Sequence, residues 1–457
     1  MQRINVHELV DEARFNGFHL TILIWCMLIT AIDGYDLTVT GIALPSIMKE
    51  MGVSAVTAGF MTSSALFGMM FGSFFLGALS DKIGRRWTLA ICVFLFSAFT
   101  AAAGFTSEPY SFSVLRFISG LGLGGAMPNV IAQMSEYSPK KTRGFVTTMM
   151  YSGYGIGAIS AALLGKLLFV THGWQSVFFA SAPPLVLIPF AMKSMPESLP
   201  YLIAHKFDSQ IRAIVSRIEP GIRVEERVEF HMPIQERVGG VPVARLFQEG
   251  RGVSTVMFCI AMFTALFMVY TLITWLTKLM AMSGYSLGSA LNFVIVMNIG
   301  AIIGAIAGGW LSDRLNIKWV LVTMYVLGSG FLCLMTVTTS TALLFVIMGA
   351  IGICTVGAQI VAYVYCGLFY PTAIRATGVG VALGVGRLGA IVSPPLIGMM
   401  VAMKLPLNQN LLVVAALCAV AAVMFAATGH RRSISNSRGS AAPDVDSVDR
   451  GRPEANV

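Results

Sequence analysis

Twelve apolar runs of about 20 residues punctuate this chain, at roughly 18–47, 55–79, 87–106, 110–134, 145–170, 174–194, 253–281, 285–311, 317–339, 341–368, 376–401 and 408–428. Each is long enough to cross the hydrocarbon core of a bilayer. Backbone groups in lipid must bond within their own segment, and the runs are continuous rather than alternating, so they read as helices and not strands. The expected fold class is an all-α polytopic membrane protein with twelve transmembrane helices. Composition agrees: 12% of the 457 residues are charged, about half the share of a soluble domain.

The placement of the net charge of +9 points to orientation, with the lipid bilayer as partner and no nucleic acid. Basic residues gather in every second connection: Lys82, Arg85 and Arg86; Lys140, Lys141 and Arg143; Arg314 and Lys318; Arg375; Arg431 and Arg432. The others hold scattered ones such as Lys49 and Lys404. By the positive-inside rule both termini are expected in the cytoplasm, the chain being a multi-pass protein of the inner membrane. The first 17 residues carry no cleavable signal, so the first span is expected to act as an uncleaved anchor. Seven cysteines lie singly in apolar runs without metal-ligand spacing and read as small hydrophobes. No metal or organic cofactor is expected.

The chain repeats itself. Aligning Ser80-Asp81 of "GALSDKIGRRW" with Ser312-Asp313 of "GWLSDRLNIKW" gives an offset of 232, which also pairs Trp87 with Trp319, Pro139 with Pro371 and Arg143 with Arg375. Residues 1–195 and 253–429 therefore read as two six-helix halves. Between them, 196–252 reads as a cytoplasmic linker with short amphipathic helices. The tail 430–457 reads as disordered. Parallel six-helix halves are a transporter plan, with the substrate site near midplane between them.

The signature loop from Gly77 and "RFISGLGLGG" from Arg116 resemble the corresponding motifs of the major facilitator superfamily. "DGYD" in the first span, "PES" after the sixth and "YPTAIRATG" before the eleventh are similar to its aromatic acid:proton symporter family, and within it to benzoate transporters. The resemblance spans all twelve helices. It implies a secondary active transporter rather than an enzyme, with a small aromatic carboxylate and protons as partners. One departure is that family members often carry a histidine between the eighth and ninth spans, where this chain has "DRLNIKW" with Lys318.

Well inside the spans, only four charges occur: Asp33, Asp36, Arg116 and Arg387, while Glu136 sits at an end. A charge within a span costs about 2.5–3.5 kcal/mol on insertion scales and suggests function; the alternative is a packing ion pair. Under the 232 offset these four map to Ala265, Met268, Met348 and Gly155. Asymmetric residues suit substrate and ion, whereas repeated ones suit the scaffold. Asp33 and Asp36, one turn apart, form a pair whose mutual repulsion and burial raise proton affinity, with Arg116 modulating release. Arg387 is the expected substrate clamp, because its fork matches a carboxylate. Gly386 and Gly389 beside it fit either ligand room or close helix packing. Candidate ring-framing residues are Tyr35, Asn129, Gln133, Tyr151, Tyr154, Tyr270, Trp275, Asn298, Gln359 and Tyr363. The gating set is Gly77, Asp81, Arg85, Arg86, Glu136, Arg143, Asp313, Arg314 and Arg375.

The expected activity is proton-coupled uptake of benzoate or a hydroxybenzoate. Muconate or a phenylpropionate is the alternative. A drug exporter is a weaker rival, because "MMYSGYGIGAISAALLG" lacks the Gly-Pro typical of such antiporters. A sugar importer is weaker too, because a buried Arg387 favours an acid. A membrane enzyme or receptor leaves the repeated loops unexplained.

Overall fold

The computed structural model describes residues 2–219, 228–231, 246–248, 251–338, 340–370 and 374–429. Twelve helices are long and apolar enough to span a bilayer. The first half has Gly17–Glu50, Ala55–Ile83, Arg85–Ala103, Pro109–Tyr137, Arg143–Phe169 and Gln175–Ser194; the second has Gly252–Met282, Leu287–Arg314, Ile317–Val337, Thr341–Phe369, Thr377–Ala402 and Asn408–Ala427. These are called the first to twelfth spans below. Polar caps set several boundaries. Asn16 Oδ1 accepts from the amides of Phe18 and His19, while His19 Nδ1 accepts from the Asn16 amide, closing a reciprocal box at the start of the first span. Ser54 and Ser286 cap the second and eighth spans.

Two spans are less regular than their apolar runs suggest. The sixth contains separate helices, Gln175–Phe179 and Pro184–Ser194. The adjacent Pro183 and Pro184 have no N–H to continue the first of them. The tenth is wound as a π-helix over Ile353–Gly357, between helices Thr341–Gly352 and Ala358–Phe369. That extra residue per turn falls where the span meets the eighth: a Cβ on Gly352 would sit 2.0 Å from Met297 O.

Outside the spans, a short element escapes the hydropathy reading. Strand Gln2–Asn5 pairs in parallel with Val228–His231, from Gln2 opposite Val228 to Asn5 opposite His231. Helix Val6–Glu12 follows the first strand, and helices Leu199–Ala204 and Asp208–Ile218 precede the second. Val6, Val10 and Phe18 share one core with Ile211, Ile214, Val215 and Ile218. Asn16 Nδ2 donates to the carbonyls of Arg217 and Ile218, both at 3.0 Å. The early part of the 196–252 stretch thus packs on the first half. Leu246 lies against the seventh span, its carbonyl accepting from Thr255 Oγ1 at 3.1 Å. Residues 220–227, 232–245 and 249–250, Pro371, and the 430–457 tail with Arg431 and Arg432 lie outside the described residues.

The halves meet at the end remote from the basic loops. Among the described residues, two side-chain hydrogen bonds cross between them: Ser63 Oγ to Ile391 O at 2.7 Å, and Lys166 Nζ to Asn292 Oδ1 at 3.2 Å. Both lie beyond the span midpoints on that remote side. A Cβ on Gly41 would meet Ile273 O at 2.1 Å, and one on Gly398 would meet Ala55 O at 2.4 Å. The side-chain hydrogen bonds between the halves among the described residues thus concentrate at the end remote from the basic loops.

Candidate functional site

The four span charges fall into two unlike groups. Arg116 Nη1 lies 2.9 Å from both carboxylate oxygens of Asp36, 2.7 Å from Thr100 Oγ1 and 3.1 Å from Ser119 Oγ. Its Nη2 donates to Asp36 O at 3.2 Å, and the Thr100 hydroxyl donates to Asp36 Oδ1. Asp36 and Arg116 are each 1% exposed. One knot therefore ties the first, third and fourth spans together. Thr100 and Ser119 were not singled out by the sequence reading, since hydroxyls in spans are common and usually bond their own helix.

Asp33 belongs to the other group. It is 2% exposed, and its Oδ1 has no hydrogen-bond partner. Arg387 of the eleventh span lies within its electrostatic reach, as do Tyr154 of the fifth and Tyr270 of the seventh. Tyr270 and Tyr363 in turn lie within reach of Arg387. Gln359 and Tyr151 both neighbour Tyr363. Arg387 is half-buried, and no hydrogen bond or ion pair to it occurs among the described residues. This group draws on both halves. The two aspartates share a helix and are one turn apart, yet they serve different neighbours.

The glycine of "DGYD" fixes this arrangement. A Cβ on Gly34 would lie 2.1 Å from Tyr154 O, so the first and fifth spans touch backbone to backbone there. Tyr154 is thereby held beside Asp33. Gly386 and Gly389 resolve towards close packing: their Cβ atoms would meet Leu266 Cδ1 at 2.6 Å and Phe263 O at 2.2 Å, both on the seventh span.

Other candidate ring-framing residues make polar contacts inside the protein, although Gln133 Oε1 is buried without a partner. Trp275 is fully buried, and its Nε1 donates to Pro394 O at 3.1 Å, leaving it no polar atom for a ligand. Tyr35 donates to Val177 O at 2.7 Å. Asn129 and Asn298 bond the carbonyls of Gly125 and Val294 in their own helices. Gln133 Nε2 reaches Pro196 O at 2.8 Å. Gln359 accepts from the Tyr325 hydroxyl at 3.3 Å. A separate crevice, lined by Trp25, Ile32, Leu89, Val93 and Ile188 together with Arg86, includes none of the four span charges.

Among the gating candidates, Arg85 pairs with Glu136, which also accepts from Ser198 Oγ at 3.1 Å. Glu197 of "PES" accepts from the Arg86 amide at 3.1 Å. Its carboxylate sits beside Gly84, whose φ of 89° marks the turn between the second and third spans. Arg143 reaches Asp11 at 2.5 Å and Ser138 O at 2.9 Å; Arg375 reaches Tyr370 O at 3.4 Å. The 232 offset thus holds for these arginines and for the carbonyls they bond. Asp81, Asp313 and Arg314 are exposed, Arg314 lying over the Trp310 ring at 4.1 Å. Gly77 O accepts from Ser80 Oγ at 2.7 Å. Neither Asp81 nor Asp313 has a hydrogen bond or ion pair to the other half among the described residues. Lys318 Nζ donates to Thr428 O at 2.8 Å, capping the end of the last span.

A family model described as Major Facilitator Superfamily matches residues 26–394, with a second match over 253–451. The chain is 41% identical to a benzoate transport protein of Acinetobacter baylyi, over 90% of either chain. It is 33% identical to a gallate transporter of Pseudomonas putida, over 94% of this chain and 96% of that one. A gentisate transporter of Corynebacterium glutamicum is 36% identical, over 83% and 80%. Among solved structures, the inward open xylose transporter XylE of E. coli superposes with a TM-score of 0.72 at 16% identity, covering 90% of this chain and 96% of that chain.

Proposed function

From the premise that this chain belongs to the Major Facilitator Superfamily and to the aromatic acid:proton symporter family within it, we propose that it imports benzoate or a hydroxybenzoate together with protons. The path runs across the cytoplasmic membrane by alternating access, with the basic end and both termini in the cytoplasm. The structure then represents the state open to the inside. Relatives named for benzoate, gallate and gentisate support an aromatic carboxylate as cargo.

One observation carries the assignment of roles: Asp33, its Oδ1 without a hydrogen-bond partner, lies within electrostatic reach of an unpaired Arg387 of the other half. A guanidinium held this way offers its fork to an arriving carboxylate. Tyr270 and Tyr363 beside it, with Tyr154 beside Asp33, would frame the ring. The substrate anion would then take over the attraction Asp33 feels from Arg387, so Asp33 would bind a proton more readily when cargo is present. That exchange is the coupling. A benzoate anion entering a negative interior works against about 2.3 kcal/mol per 100 mV, and a co-transported proton removes that opposition. Asp36, held by Arg116, is assigned to the scaffold.

The test is uptake of labelled benzoate into vesicles of purified protein under an imposed pH gradient, challenged by hydroxybenzoates, gentisate, muconate and phenylpropionates. Accumulation that collapses with the gradient is expected, with the benzoates as best competitors. Gradient-independent uptake would reject proton coupling, and stronger competition by muconate would move the substrate class.

A further inference from the structure

The eleventh span carries two adjacent prolines, Pro394 and Pro395, inside helix Arg375–Ala402. Neither has an N–H, so the carbonyls four residues earlier, those of Ala390 and Ile391, lose their helical donors. Both carbonyls have found replacements. Ser393 Oγ donates to Ala390 O at 3.1 Å, within the same helix. Ile391 O is served from the other half of the molecule, by Ser63 Oγ of the second span at 2.7 Å. Ser63 is 6% exposed, so water does not compete freely for the bond. Gly59, one turn away on the same face, lets the two backbones close: a Cβ there would sit 2.5 Å from Pro394 O and 2.7 Å from Pro395 Cα.

We propose that Ser63 is the latch of the outer gate, a positioning residue for the transport cycle whose acceptor Pro395 leaves without its helical donor. The inference rests on the alternating-access reading above. When the halves part at the outer end, Ser63 leaves, and Ile391 O has no N–H in its own helix to return to. The closed state keeps a hydrogen bond that the open state must replace with water. Ile391 is one helical turn from Arg387, so the latch holds the same stretch of helix that carries the candidate carboxylate clamp.

The experiment reads the outer gap directly. Spin labels at Lys49→Cys and Gln409→Cys, both exposed at the outer end, report its width by pulsed double resonance, with Cys259 and Cys333 replaced by serine. Ser63→Ala should raise the ratio of long to short distances about two- to tenfold, the range a single net hydrogen bond gives. Ser63→Thr, which keeps the donor, should stay near wild type. Pro395→Ala restores an N–H for Ile391 O, so adding Ser63→Ala on that background should change the ratio by less than about twofold. Benzoate binding to each variant verifies the fold. An unchanged ratio in Ser63→Ala, or an equal shift on both backgrounds, overturns the latch. If wild type still widens with benzoate under a pH gradient while Ser63→Ala matches it throughout, only the latch fails. If no condition widens wild type or variant, the latch fails together with alternating access.

Discussion

Arg116 holds both carboxylate oxygens of Asp36 through a single nitrogen, at 2.9 Å each, while Asp33 three residues earlier accepts no bond at Oδ1. The two aspartates should therefore fail differently. Asp33→Asn should abolish accumulation driven by a pH gradient yet leave the protein's melting temperature close to wild type. Asp36→Asn strands a buried guanidinium, a loss of about 3–5 kcal/mol when one partner of a buried pair is removed. It should lower thermal stability sharply, and pairing it with Arg116→Gln should recover part of the loss. Melting curves beside vesicle uptake check both; equal stability of the two single variants would refute the division.

Arg387→Lys keeps the charge and loses the fork. Benzoate affinity should weaken by roughly 1.5–3 kcal/mol, the worth of a hydrogen bond to a charged group. Arg387→Ala should abolish carboxylate binding. Titration of purified protein, with benzamide as the uncharged control, measures it; unchanged benzoate affinity in Arg387→Ala moves the clamp elsewhere.

Gly34→Ala adds one methyl where Tyr154 O lies 2.1 Å away. Overpacking of this kind costs about 1–3 kcal/mol. The change should lower both melting temperature and uptake without touching a charge. Wild-type transport in that variant would show that the first and fifth spans do not need their close contact.

Trp275→Phe removes the donor to Pro394 O and nothing that faces the charged group. Stability should fall by about 0.5–1.5 kcal/mol, and benzoate affinity should stay within about twofold. A large affinity loss, measured by the same titration, would return Trp275 to the binding site.

The spans and the four unusual charges were legible in the sequence because each is a contrast against an apolar background. Twelve continuous runs and one constant offset leave few other folds. Partner choice was not legible. Asp33 and Asp36 share helical spacing, but which carboxylate meets Arg116 depends on how the third and fourth spans turn, and close glycine contacts such as Gly120 to Ala65 O and Gly122 to Cys92 O bear on that. The ring-framing candidates show the same limit. Tyr270 and Tyr363 lie within reach of Arg387 and Tyr154 within reach of Asp33, whereas Tyr35, Asn129 and Asn298 carry no sequence mark that sets them apart and bond elsewhere. The π turn in the tenth span and the strand pair Gln2–Asn5 with Val228–His231 left no hydropathy signal, being responses to tertiary packing.

The Asp36–Arg116 knot also orders events during synthesis. The partners are 80 positions apart, so the first span enters the bilayer well before the arginine that neutralises it. Until then its two aspartates each carry the insertion penalty of about 2.5–3.5 kcal/mol, offset by an otherwise apolar helix of mean hydropathy 1.6. Thr100 arrives with the third span and Arg116 with the fourth. The first four spans are thus the smallest piece of nascent chain whose Asp36 charge is matched. Chains released after the third span should be cleared by membrane quality control faster than chains released after the fourth.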